Sequence, residues 1–272
     1  MVDLHIHTTY SDGLSTPEDI LKLTKKYSLF SICDHNNIFS SKTIHQSNFV
    51  NGVEVSILGD YFNMNSFEIH FLIYDYNSYD EKLNHLFDEF IFYNNLSFYN
   101  IFVQSIISNN IKIDFDKVKQ VFRDYSDHTL TKVSLSKIML DFNFGNNIYE
   151  SYNQYIKPFC YPKIQYIDFQ QLLDIIKDSG GYILLAHPFN YNFFSFELEN
   201  FIRKLADIGI DGIELCLNYK NQCMNYIQKY GFLYSIGSDF HGFEFDRCNH
   251  LGVDDSIYLN DEKYIKNKLL CR

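Results

Sequence analysis

Nine side chains in this sequence are of the types that hold divalent ions: His5, His7, Asp12, His35, Glu54, His70, His187, Asp239 and His241. They include six of the ten histidines, a share too large to set aside as packing. His5 and His7 sit in VDLHIH, a run with strand character, where residues two apart point to the same side. Two imidazoles then face one point, which is half a metal site. Imidazole and carboxylate without thiolate suit Zn²⁺, Mn²⁺ or Fe²⁺. Nine ligands exceed the roughly four to six that one such ion takes. Two or three divalent ions sharing a bridging carboxylate are therefore expected, with Glu54 as the bridge. Clustered ions lower the pKa of a bound water to about 7 and clamp phosphoryl oxygens. The catalytic role expected of all nine thus runs through a metal-bound hydroxide, and phosphoester hydrolysis is the chemistry it suits.

The elements that must position these residues alternate strand and helix. Residues 2–6 read as a strand that runs into the Asp12-Gly13 turn, and Thr16-Pro17-Glu18 reads as a capped helix start. Apolar runs at 29–33, 49–55 and 67–74 predict three more strands, the first leading to Asp34-His35 and the second placing Glu54 near its end. From residue 81 to about 110 apolar residues recur at i, i+3 and i+4, a helical period. Between about 94 and 161 the alternation stops, and helices are expected over 116–122, 130–141 and 147–156. It resumes at Asp168, whose spacing to Gln171 resembles a capping box, with a helix that stops at Gly180-Gly181. Strands are predicted over 182–186, 212–217 and 232–236, with helices over 196–208 and 221–230. His35, Glu54, His187 and the Asp239-x-His241 pair each fall at the C-terminal end of a predicted strand. In a (β/α) barrel those ends converge on one face, where active sites are built.

The chain has 272 residues, enough for a single barrel of roughly 250 residues. Its net charge of −11 argues against a stable complex with long nucleic acid, which needs a basic face. It leaves room for a small phosphorylated substrate, because bound cations reverse the local field. No apolar run reaches about 18 residues, so no membrane partner is expected. The opening residues lack a basic-then-apolar leader, and the six cysteines include no C-x-x-C pair, so a cytoplasmic location with free thiols is expected.

The motifs HIHTTYSDG, CDH, GVE, EIHFL, LAHP and GSDFHG, in that order, resemble the PHP (polymerase and histidinol phosphatase) family over nearly the whole chain. The resemblance is closest to stand-alone phosphoesterases, among them nucleoside 3′,5′-bisphosphate phosphatases and 5′-to-3′ exoribonucleases. It implies an α/β fold, a distorted (β/α)₇ barrel formed by residues 1–93 and 162–272, with a mostly helical insertion over 94–161. It also implies a partition of ligands. One ion would take His5, His7, Glu54 and Asp239, a second Glu54, His70 and His187, and a third Asp12, His35 and His241. The implied partner is a small phosphorylated molecule, a nucleotide or a short oligonucleotide.

The chain departs from that family in two places. An Arg-Pro-His element of the nucleotide phosphatases aligns with Lys132-Val133-Ser134, and a basic residue after AHP is replaced within Phe189-Asn190-Tyr191. Lys132 and Arg247 are the weak candidates for substrate contact. Asp34 is read as orienting His35 or a turn, Glu68 as solvated or as a support behind the ligands, Glu214 as a surface residue on the same rim, and Tyr10 and Tyr191 as packing or as flanking the pocket. The alternatives are a 5′-to-3′ exonuclease on short RNA or DNA, a histidinol-phosphate-type phosphatase, a zinc amidohydrolase and a non-catalytic metal-binding module. The amidohydrolase would require a carboxylated lysine on the fourth strand, and residues 67–74 hold none.

Overall fold

The computed structural model describes residues 1–62, 68–159, 167–191, 193, 195–242 and 250–269, with the backbone alone at 195 and 196. Among these residues seven strands alternate with helices. Strand β1 is Val2–Ile6, helix α1 Pro17–Leu23, β2 Leu29–Ile32, α2 Phe39–Thr43, β3 Gly52–Leu58 and β4 Glu68–Tyr74. A helical stretch follows: α3 Glu81–Ser108, α4 Phe115–Asp124, α5 Lys132–Asp141, α6 Ile148–Ser151 and a π turn over Tyr152–Ile156. Then come α7 Phe169–Asp178, β5 Tyr182–Leu185, α8 Ser195–Ile208, β6 Gly212–Glu214, α9 Lys220–Tyr230, β7 Leu233–Ser235 and α10 Ile265–Leu269.

Local chemistry accounts for many of the boundaries. Thr16 accepts a hydrogen bond from the Asp19 amide and Pro17 opens α1, while Asp168 accepts from the Gln171 amide to start α7. Thr131 and Ser134 close a reciprocal capping box at α5. Gly231, at φ +71°, ends α9 in the left-handed conformation that glycine adopts without steric cost.

Strands β3 to β7 form one sheet in sequence order, and β1 pairs with β2 in a second, parallel one. Strand β4 runs antiparallel to both β3 and β5, whereas β5, β6 and β7 are parallel. Only nine residues, 59–67, separate β3 from β4. A parallel return needs about a dozen or more, so the chain turns back on itself. Single bridges tie the two sheets together on both sides: Phe30 to Phe49 and His35 to Glu54 on one, Ile6 to Phe240 on the other.

The expected strand over 49–55 is shifted. Strand β3 begins at Gly52 and runs on to Leu58, because Ser56, Ile57 and Leu58 find ladder partners in His70, Ile69 and Glu68. Glu54 is therefore the third residue of the strand and not near its end.

The largest apolar cluster lies between the five-stranded sheet and α3, α7, α8 and α9. A second gathers Phe98, Phe102, Val118, Leu135, Ile138 and Met139 from the C-terminal part of α3 with α4 and α5. A third, with Ile20, Phe30 and Phe240, backs the β1–β2 pair. No helix among the described residues is long and apolar enough to cross a membrane.

Candidate metal centre

His5 in β1 and His7, the residue after its end, both have no solvent exposure and bring their rings together. The His5 and His7 Nε2 atoms are 3.1 Å apart. Two nitrogens that share one ion at about 2.1 Å each lie roughly 3 to 3.5 Å from one another, so this spacing is that of co-ligands. Both face Glu54 Oε2, at 3.3 and 3.1 Å, and Asp239 Oδ1, at 3.5 and 3.3 Å.

Glu54 is buried and uses its two oxygens differently. Oε2 looks toward His5, His7 and His35 Nδ1, the last at 3.3 Å. Oε1 looks toward His70 Nδ1 at 3.0 Å and His187 Nε2 at 2.9 Å. A third group forms where Asp12 meets His35 Nε2 at 3.6 Å, His241 Nε2 at 3.4 Å and His7 Nδ1 at 3.6 Å.

Three sets of potential donor atoms each gather within 4.8 Å: His7, Asp12, His35 and His241; His5, His7, Glu54 and Asp239; and His35, Glu54 and His70. All nine residues singled out from the sequence thus converge on one region. His187 joins through its contact with Glu54, and His7 and His35 face two sets each.

Backbone and buried polar partners hold this arrangement. Asp34 accepts from the Thr8 amide, the Thr8 hydroxyl and the Ser11 hydroxyl, all at 2.7 Å. It shapes the turn that carries Asp12, where orientation of His35 had been one expectation. The His241 Nδ1–H donates to the Asp239 carbonyl at 2.8 Å, which leaves Nε2 for Asp12. His187, at φ +28°, and Asp239, at φ +56°, adopt positive φ, a conformation disfavoured for residues with a side chain and one that gathers at functional sites.

Glu214 was expected at the surface and is buried instead, 4% exposed. Its Oε1 accepts from His5 Nδ1 at 2.9 Å and its Oε2 from the His187 amide at 2.7 Å. It therefore fixes the His5 tautomer with Nε2 toward the centre. The available signal was an acid ending an otherwise apolar strand, GIEL, on the rim shared by the other candidates.

The electrostatics are those of a site made for cations. Burial opposes charge on His7, but the Asp239 and Glu54 carboxylates outweigh it and push the imidazole up to about 10. Burial is likewise outweighed at His70, which Glu54 and Glu68 push up to about 10. His35 is pushed down to about 4, burial and the charges of His7 and His70 outweighing its carboxylate neighbours. Burial works against charge on Glu54 too, yet the surrounding imidazoles hold it well below the usual carboxylate range. His7 Nδ1, His35 Nδ1 and His187 Nδ1 are buried without a hydrogen-bond partner. His7 Nδ1 and His35 Nδ1 stand beside Asp12 and Glu54, and such orphaned nitrogens next to carboxylates fit metal ligation, since a buried polar atom otherwise needs a partner.

A cavity of about 370 Å³ opens beside the cluster, lined by Asp12, His35 and His70 of the candidate ligands and by Asn94, Thr129 and Lys132 among others. Lys132 is the one lysine or arginine among the described residues lining it. Glu68 also lines it, its Oε2 3.8 Å from His70 Nε2 and its side chain 39% exposed, so it is both solvated and in reach of a candidate ligand. Tyr10 packs against Phe39 and His128 with ring centroids 4.7 Å away in each case. Tyr191 lies against His187. Arg247 lies outside the described residues.

No family model matches the chain. The chain is 22% identical over 264 residues to a 5′-3′ exoribonuclease of Haemophilus influenzae, covering 88% of this chain and 89% of the relative. It is 23% identical over 258 residues to the 5′-3′ exoribonuclease Rnm of Escherichia coli, covering 88% and 84%. Its fold resembles an amidohydrolase from Chromobacterium violaceum with bound sulfate, at TM-score 0.75 and 19% identity over 99% of this chain and 96% of the other. It also resembles a protein of Bifidobacterium adolescentis described as a metal-dependent phosphoesterase, at TM-score 0.71 and 17% identity over 99% and 95%.

Proposed function

We propose that this chain is a metal-dependent phosphoesterase of the PHP type, which hydrolyses a small phosphomonoester or a nucleotide phosphate at a centre of two or three divalent ions. The observation that carries the reading is the placement of Glu54. Its two oxygens face two separate groups of imidazoles, with His5 and His7 at one and His70 and His187 at the other. A carboxylate so placed can be shared by two ions, and Asp12 with His35 and His241 supplies donors for a third. Bound there, Mn²⁺, Zn²⁺ or Fe²⁺ would activate water and balance charge on phosphorus.

The chain's own residues have the remaining tasks. Glu214 and the Asp239 carbonyl set the tautomers of His5 and His241. Lys132, at the first turn of α5, brings positive charge to the lining of the cavity and is the candidate for holding a substrate phosphate. The cavity's volume of about 370 Å³ suits a molecule of nucleotide size. The exoribonuclease relatives favour a nucleotide or the end of a short oligonucleotide over other phosphoesters. The seven strands are read as the distorted (β/α)₇ barrel, with β1 and β2 completing a ring through the bridges at His35–Glu54 and Ile6–Phe240. Residues 94–161 are read as the insertion that walls the cavity. An amidohydrolase reading, raised by one fold neighbour, lacks the lysine on β4 that it would call for.

The test is phosphate or mononucleotide release by Mn²⁺-loaded protein from phosphorylated metabolites, nucleoside 3′,5′-bisphosphates and short 5′-phosphorylated oligoribonucleotides. Turnover that requires the metal and falls to background in His7→Ala is expected. Full occupancy by ions with no release from any phosphoester would overturn the reading.

A further inference from the structure

Strand β4, which carries His70, and the end of β5, which leads to His187, do not meet in an ordinary ladder at the ion centre. Their antiparallel pairing runs from Tyr74–Tyr182 to Phe71–Leu185, and the next residues in that register are His70 and Ala186. In an antiparallel ladder a hydrogen-bonded pair exchanges two N–H···O bonds. The Ala186 amide does donate to the His70 carbonyl, at 3.0 Å. The reciprocal bond is replaced. The His70 amide donates to the Tyr191 hydroxyl at 2.8 Å, and that hydroxyl lies 3.3 Å from the Ala186 carbonyl.

We propose that the Tyr191 hydroxyl is a spacer built into the β4–β5 ladder, which sets the separation of His70 and His187 and so the bite of the ion site they form with Glu54. The inference rests on the ion-centre reading given above and adds a positioning residue to it. A direct rung would hold the His70 nitrogen and the Ala186 oxygen about 2.9 Å apart. A hydroxyl between them opens one side of the pair while the other side stays closed. On this proposal the two segments are held apart beside His70, the third residue of β4, and Ala186, the residue before His187. With this spacing both imidazoles reach the same oxygen, Glu54 Oε1, at 3.0 and 2.9 Å. The Tyr191 ring lies 5.6 Å from the His187 ring and packs on Phe193, so the hydroxyl is held by more than its hydrogen bonds.

Tyr191→Phe keeps the ring and removes the spacer. The His70 amide and Ala186 carbonyl are then free to close on each other and draw the imidazoles off their common point. Partners of this kind typically cost about 10- to 100-fold in metal affinity when removed. Mn²⁺ binding by equilibrium dialysis of the full chain is expected to show one ion weakened by that factor, with the others unchanged. Tyr27→Phe is the control. It removes a tyrosine hydroxyl bonded to the Leu251 carbonyl at 2.8 Å, away from the centre, and should lower the melting temperature without changing the isotherm. An unchanged isotherm in Tyr191→Phe, or equal weakening in both variants, overturns the proposal. A wild-type protein that binds no Mn²⁺ overturns the ion-centre reading instead. A wild type that binds ions but releases no phosphate overturns the phosphoesterase reading and leaves the spacer to be judged by the isotherms. If Tyr191→Phe does not fold, hydrogen exchange of the wild-type His70 amide decides. Slow exchange supports the spacer, and exchange at the rate of an open strand end overturns it.

Discussion

At the scale of single residues, the buried charges of the centre determine how the protein responds to pH. With ions removed by a chelator, His7 and His70 pair as cations with Glu54 and Asp239, because each holds its proton up to about 10 in the fold. In the unfolded chain both return to their ordinary value of 6.5. A raised folded pKa contributes stability that is fully present below the unfolded value and is lost as pH rises through the folded one. The chelated protein should therefore lose melting temperature steadily from about pH 6.5 to 10. Ion binding must displace those same protons, so affinity rises over that window. Melting curves with and without Mn²⁺ should diverge as pH increases, and a gap that stays constant from pH 7 to 10 would contradict the assignment of these imidazoles. That these nine residues would gather was legible from residue type and order, since all nine candidates converge. Glu214 was not, because an acid at a strand end looks the same on paper whether it meets water or an imidazole.

Between elements, the close approach of the segment after β7 to β1 matters most. The Leu4 amide donates to the Ile236 carbonyl and the His7 amide to the Phe240 carbonyl, which docks the strand carrying two imidazoles on the segment that leads to Asp239. Gly237 permits this contact. A methyl group there would stand 2.3 Å from the His5 Cβ and 2.7 Å from its amide nitrogen. Gly237→Ala should cost about 1–3 kcal/mol by overpacking and should weaken ion binding as well, because the strand that must yield carries His5. Urea unfolding and an Mn²⁺ isotherm on the same variant check both effects, with Gly180→Ala as the comparison. Gly180 has φ +75° but no neighbour within 4 Å of an added Cβ, so only stability should respond there. Element boundaries were legible where side chains cap helices, as at Thr16 and Asp168. They were less legible at β3, where the run 49–55 is apolar but the ladder partners that extend the strand to Leu58 lie on β4.

For the molecule as a whole, charge limits what can be held. The chain carries −11, and Lys132 is the one lysine or arginine among the described residues lining the cavity. Each phosphate of a single-stranded ligand that the protein neutralises contributes about −0.7 to the slope of log affinity against log salt. A substrate gripped by one lysine should show a slope no steeper than about −1. Comparing KM for a short 5′-phosphorylated oligoribonucleotide at two potassium chloride concentrations measures it. A slope several times steeper would reveal a long basic track and point to extended RNA.

By itself the sequence determined which side chains could bind ions, that strands and helices would alternate around a helical stretch, and which local caps would begin α1 and α7. These depend on residue type, spacing and hydrogen bonds within a turn, all of which are local. The tertiary structure alone decided that β4 runs antiparallel, that Glu54 turns its two oxygens to different groups of imidazoles, and that Glu214 and Tyr191 reach across strands to hold them. Those outcomes depend on pairing between segments far apart in the chain, and a side chain's partner across a sheet is set by register and packing, not by the residues beside it in sequence.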